Sequence, residues 1–125
     1  MKKIIIFFCL ISLSQSLWAL GCGAYKTGKF ILFEQKSNIH VRIDRTANEQ
    51  VETDLKTGRF IRFSIKWISD CEYDLTLIDG NNDQVSFFRN RKLSIRITDV
   101  YADGYRFEGK LQGSKNVITN ILRVL

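Results

Sequence analysis

The chain has 125 residues, no proline, one histidine and three cysteines. Nineteen Lys and Arg against 13 Asp and Glu give a net charge of +6, spread singly rather than in blocks. This length suits one domain, the lone histidine removes the usual metal sets and His-activated nucleophiles, and the scattered charge argues against a nucleic-acid footprint.

The chain opens "MKKIIIFFCLISLSQSLWALGCG". Lys2 and Lys3 form a positive start, Ile4 to Leu13 an apolar run, and Ala19 and Gly21 sit three and one before Cys22. This is the layout of a secretory signal peptide over 1–21, cleaved after Gly21. The apolar run is too short for a spanning helix, which needs about 20 apolar residues. A single antiparallel β domain over 22–125 is then expected, exported to the periplasm, the outer membrane or the outside. Cys9 leaves with the leader. Cys22 and Cys71 remain, an even pair that predicts a disulfide in an oxidising compartment. The alternative is a lipid on Cys22, half supported by "ALGC"; membrane contact is expected only in that case.

From Gly28 onward the dominant signal is period two. Strands are predicted over 28–34, 38–45, 48–54, 59–68, 71–78, 84–88, 93–101 and 104–111. Ile39, Val41 and Ile43 share one face, as do Ile61, Phe63, Ile65 and Trp67. Cys71, Tyr73, Leu75 and Leu77 follow, then Leu93, Ile95 and Ile97, then Tyr105, Phe107 and Leu111. Turn signals separate the runs at Thr57-Gly58, "DGNND" (79–83) and Asp103-Gly104. "NVITNILRVL" at the end suits a strand over 117–124 or a short helix; its Val, Ile and Thr favour the strand. The sum is an all-β meander of about eight strands, a small lipocalin-like barrel or a strongly curved sheet. "KTGKFILF" (26–33) and "KTGRFIRF" (56–63) nearly repeat, but their flanks differ, so one turn-and-strand device is used twice and no domain is duplicated.

The polar residues point away from catalysis. His40 lies on the polar face of its strand. Asp70, Glu72 and Asp74 alternate and are expected to form a solvated row facing Arg or Lys. "RNRK" (89–92) reads as a solvated turn. There is no glycine-rich phosphate loop and no Gly-x-Ser-x-Gly. No catalytic residue, metal ligand or cofactor is predicted. Trp67 is expected in the core. Arg45, Gln50 and Glu52 flank the turn "TANE" (46–49) and offer two readings: a cross-strand Arg45–Glu52 ion pair that fixes register, or a polar rim at one end of the barrel that meets a partner or a small acidic group.

"KTGKF", Arg45 to Glu52 ("RTANEQVE") and Ile65 to Leu77 ("IKWISDCEYDLTL") resemble a group of small exported bacterial β-proteins of unassigned function. The group shares a Lys-Thr-Gly-x-Phe opening, an Arg followed by Gln-x-Glu, and a Trp-x-x-x-Cys-x-Tyr-x-Leu strand. The resemblance covers positions 22–78 in order and implies the same β fold. The label "DNA topoisomerase IV" carried by some members implies a tyrosine domain and an ATPase partner, which an exported chain of this length does not fit. The expected function is a non-catalytic binding or interaction protein of the cell envelope, with a protein or small ligand as partner and no nucleic acid. Large inward residues predict a filled core, which leaves the surface or a barrel mouth for binding. A lipid-anchored structural lipoprotein and an inhibitor of a secreted hydrolase are the alternatives.

Overall fold

A computed structural model describes residues 21–34 and 36–125. The leader assigned to 1–21 lies, but for Gly21, outside the described residues. A 3-10 turn, Cys22–Tyr25, is followed by strands β1 (Gly28–Glu34), β2 (Ile39–Arg45), β3 (Glu49–Asp54), β4 (Phe60–Ser69) and β5 (Glu72–Gly80). One helical turn, α1 (Val85–Phe88), precedes β6 (Leu93–Tyr101), β7 (Gly104–Leu111) and β8 (Val117–Val124). Each strand pairs antiparallel with the next, and β8 pairs with β1, so the sheet is a closed eight-stranded barrel.

Closure explains why the tail is a strand. Leu32 lies opposite Leu122 and Phe30 opposite Val124, so β8 covers the edge that β1 would otherwise expose. The alternating apolar sets face inward as expected: Phe30, Ile43, Ile61, Phe63, Ile65, Tyr73, Leu75, Ile95, Ile97, Tyr105 and Leu122 form one buried cluster. The two near-identical octets enter the barrel in opposite phase. Phe30 of β1 is buried, whereas Phe60 at the same place in its octet faces outward and Ile61 and Phe63 point in. A one-residue change of phase reverses the faces of a strand, so shared sequence does not mean a shared role.

One strand expectation fails. Residues 84–88 are not a strand. Asn82 O accepts from the Val85 amide (3.1 Å), Gln84 O accepts from the Phe87 amide (3.0 Å), and Asn82 Oδ1 accepts from the Gln84 amide (2.9 Å). This coils the segment, and Val85 and Phe88, three apart, both pack on the core. Phe88 meets Phe63 edge-on at 5.3 Å.

Three bulges curve the wall. Ile68, Ile78 and Thr98 are each an extra residue between paired neighbours, and this accounts for the exposure of Ile68 and Ile78. Outside the barrel, Arg62 pairs with Asp79, Arg96 with Glu108 (2.8 Å) and Lys92 with Asp74 (3.6 Å). Asp70 meets Lys26 at 2.7 Å, so the acidic row does face basic partners. Cys22 and Cys71 are disulfide-bonded across 49 residues. The bridge fastens the 3-10 turn over one end of the barrel, beside the β2–β3, β4–β5 and β6–β7 turns. We refer to that end as closed. The other end carries α1 and the remaining loops.

Candidate functional site

Arg45 is the last residue of β2, on the same inward face as Ile39, Val41 and Ile43. It is only 4% exposed. Its Nε donates to Gln50 Oε1 (2.9 Å), Nη1 to the Tyr25 carbonyl (2.7 Å), and Nη2 to the hydroxyls of Tyr73 (3.1 Å) and Tyr105 (2.8 Å). The two hydroxyls also bond each other at 2.7 Å. Aromatic faces enclose the guanidinium, with Tyr73 at 4.8 Å, Phe30 at 4.9 Å and Trp67 at 5.8 Å from its carbon. A buried guanidinium requires this density of acceptors and π faces. Burial works against its charge, but the tyrosines outweigh it and the pKa is raised. Burial likewise pushes the Tyr73 hydroxyl well above its ordinary pKa, against the pull of Arg45, so it stays neutral. Tyr25 ties the lid down further: its hydroxyl donates to the Tyr101 carbonyl.

From this cluster a polar file runs along β3 toward the other end. Gln50, 2% exposed, accepts from Arg45 and donates from Nε2 to Glu52 Oε2 (3.0 Å). Gln50, Glu52 and Asp54 alternate and therefore point into the barrel. Burial raises the Glu52 pKa above the usual carboxylate value; the bond from Gln50 and the charge of Arg45 offset this only in part. Beyond Glu52 lies a cavity of about 890 Å³. Ile39, Val41, Ile61, Phe87, Phe88 and Ile118 supply its apolar walls; Glu52 and Asp54 lie on one side, and Arg59 and Asp83, paired at 2.7 Å, are at the rim. The residual exposure of Glu52 is to this cavity.

The interior is thus divided. The closed end and the middle of the barrel are filled, with Tyr105, Phe30, Phe63, Leu75 and Leu122 fully buried. The other end is not, because β3 contributes Glu52 and Asp54 where a core would need apolar groups, and β8 contributes Ile118, which is 53% exposed. A separate depression of about 510 Å³ lies outside β5–β8 among Glu72, Asp74, Arg96, Glu108 and Lys110. Arg96 pairs with Glu108 there and Asp74 with Lys92 beside it, and the depression has little enclosing wall of its own.

The expectations for Arg45, Gln50 and Glu52 require correction. Arg45 and Gln50 are buried, so they form no partner surface. Nor do Arg45 and Glu52 form a cross-strand ion pair: in the register Arg45 lies opposite Gln50 and Glu52 opposite Ile43, and Gln50 bridges the two charges. The turn at 46–49 forms as expected, but its flanks face inward. Trp67 is partly buried rather than at the core's centre, with its ring 4.6 Å from Tyr73 and the Lys26 ammonium 5.6 Å from its centroid. Its buried Nε1 has no hydrogen-bond partner among the described residues. His40 stacks on Phe33 at 4.5 Å. Tyr25, Tyr73 and Tyr105 as Arg45 partners escaped sequence reasoning, although period two already placed Tyr73, Tyr105 and, by extension, Arg45 on inward faces. Comparison with protein-family models, curated proteins and solved structures finds no match to this chain.

Proposed function

We propose that this is a small exported binding protein of the cell envelope that takes an amphipathic small molecule into the open end of its barrel. The cavity carries this reading. It is concave, it joins an apolar wall to polar side chains on one side and at the rim, and its volume lies in the range of about 300–1,000 Å³ common for small-molecule sites. Eight strands leave an interior wide enough for one small ligand wherever side chains do not fill it. The Cys22–Cys71 bridge suits an oxidising compartment and holds the closed end shut. With its sulfur in that bridge, Cys22 has none left for a thioether lipid, which weighs against the anchored reading. The protein acts by binding rather than by catalysis, since the buried hydroxyls and guanidinium are sealed under the 3-10 turn, away from the cavity.

The test is uptake of a neutral environment-sensitive dye such as Nile red by the oxidised 22–125 protein. Binding with enhanced emission is expected. Ile118→Trp, at the exposed end of β8, should weaken it at least fivefold without lowering the melting temperature. No enhancement with the unsubstituted protein, or full binding by the Trp variant, contradicts the reading.

A further inference from the structure

Glu52 is set up as a fixed anion. One carboxylate oxygen is held by Gln50, which Arg45 holds in turn, and Arg45 is clamped by Tyr73, Tyr105 and the Tyr25 carbonyl. The other oxygen, Oε1, makes no hydrogen bond among the described residues, and the side chain borders the cavity. The charged groups around that space are Glu52, Asp54, Arg59 and Asp83. Arg59 is taken by Asp83, and one Asp54 oxygen accepts the Lys56 amide (2.8 Å). Among the described residues, no cation lining the cavity pairs with Glu52. We infer that the cavity selects a cationic amphiphile, a protonated amine on an aliphatic or aromatic body, with the ammonium on Glu52 Oε1 and the body against Val41, Ile61, Phe88 and Ile118.

This rests on the proposal that the cavity is a ligand site, and it assigns the sign of the ligand's charge. Three features favour a cation. The anion is preorganised, so little reorganisation opposes binding. The walls are apolar, so a charge-assisted bond there is stronger than in water. An anionic head would meet Glu52 and Asp54 with no free cation beside them, and such like-charge contact is a strong basis for rejection. Burial already disfavours the ionised carboxylate in the empty barrel, and a bound ammonium relieves that penalty.

The experiment is calorimetric titration of the oxidised 22–125 protein at pH 7 with dodecylamine, dodecanol and dodecanoate, each below its micelle concentration. Dodecylamine should bind at least about tenfold more tightly than dodecanol, and dodecanoate more weakly than either. Glu52→Gln keeps an acceptor for Gln50, so it should fold normally, retain dodecanol binding and lose the preference for the amine. If dodecanol or dodecanoate matches dodecylamine, or the Gln variant keeps the preference, the cationic assignment is overturned while the cavity remains a ligand site. If none of the three binds, the ligand site itself is overturned.

Discussion

Arg45 is the residue on which the closed end is organised. Its donors reach Gln50, Tyr25, Tyr73 and Tyr105 on different sides, a fork that a lysine ammonium cannot reproduce. Arg45→Lys should therefore leave at least one buried acceptor unmet and cost about 2–4 kcal/mol in urea unfolding. An unchanged midpoint would show that the tyrosines do not depend on it. Glu52 behaves in the opposite sense. Its folded pKa is raised above the ordinary value of 4.5, so the unfolded chain ionises first as pH rises. Any stabilising effect of this group is complete below that value and is lost as pH climbs through the folded pKa. Glu52→Gln should accordingly stabilise the protein at pH 7, a gain that fades by pH 4. Thermal melts across this window provide the check; a variant less stable at pH 7, or a gain that persists at pH 4, contradicts the sign. The two residues differed in legibility. Arg45 continues the Ile39-Val41-Ile43 alternation, so its inward direction was written in the pattern and only its charge misled. Gln50, Glu52 and Asp54 gave no such signal, because β3 has its one apolar residue, Val51, on the outer face.

At the scale of elements, turns decide more than strands. Tyr101 pairs with Gly104 across the Asp103-Gly104 turn, and Gly104 also lies against Arg123 of β8. Its φ is +154°, and an added Cβ would fall 1.9 Å from the Leu122 carbonyl oxygen. Gly104→Ala should open the β7–β8 seam and cost about 2–4 kcal/mol, read from chemical denaturation. A neutral result would mean that the backbone there can relax. The 3-10 turn depends on its bridge. Removing a link across 49 residues costs about 4 kcal/mol in the loop-entropy account. Cys22→Ser with Cys71→Ser should lower the melting temperature by more than 10 °C, and a shift of a degree or two would show that Arg45 and Tyr25 hold the lid without it. Most strand positions were legible because each has an inward apolar set and a turn residue at its end; β3, whose inward residues are Gln50, Glu52 and Asp54, was placed by the turns on either side of it. The segment 84–88 was not, since "VSFF" fits both a two-residue and a three-residue spacing and only the Asn82 turn chooses between them.

The whole molecule joins two different interiors within one wall. One end is filled, bridged and arginine-centred, and the other holds the cavity onto which Glu52 faces, where the proposed ligand would sit. The sequence left closure open between a barrel and a strongly curved sheet; pairing of the β-rich tail with β1 decides it, and removes the two edges an open sheet would leave. The half-empty interior could not be anticipated. Large inward residues suggested a full core, and the count of such residues says nothing about how they divide between the two ends. Methyl-labelled NMR locates a ligand within or outside the barrel. With isoleucine methyls assigned, titration with dodecylamine should move Ile39, Ile61 and Ile118 at the cavity and leave Ile95 and Ile97 on β6, together with the bulge residues Ile68 and Ile78 on the outer face, unmoved. Shifts centred on Ile68 and Ile78, or none at all at saturating amine, would contradict a ligand site inside the barrel.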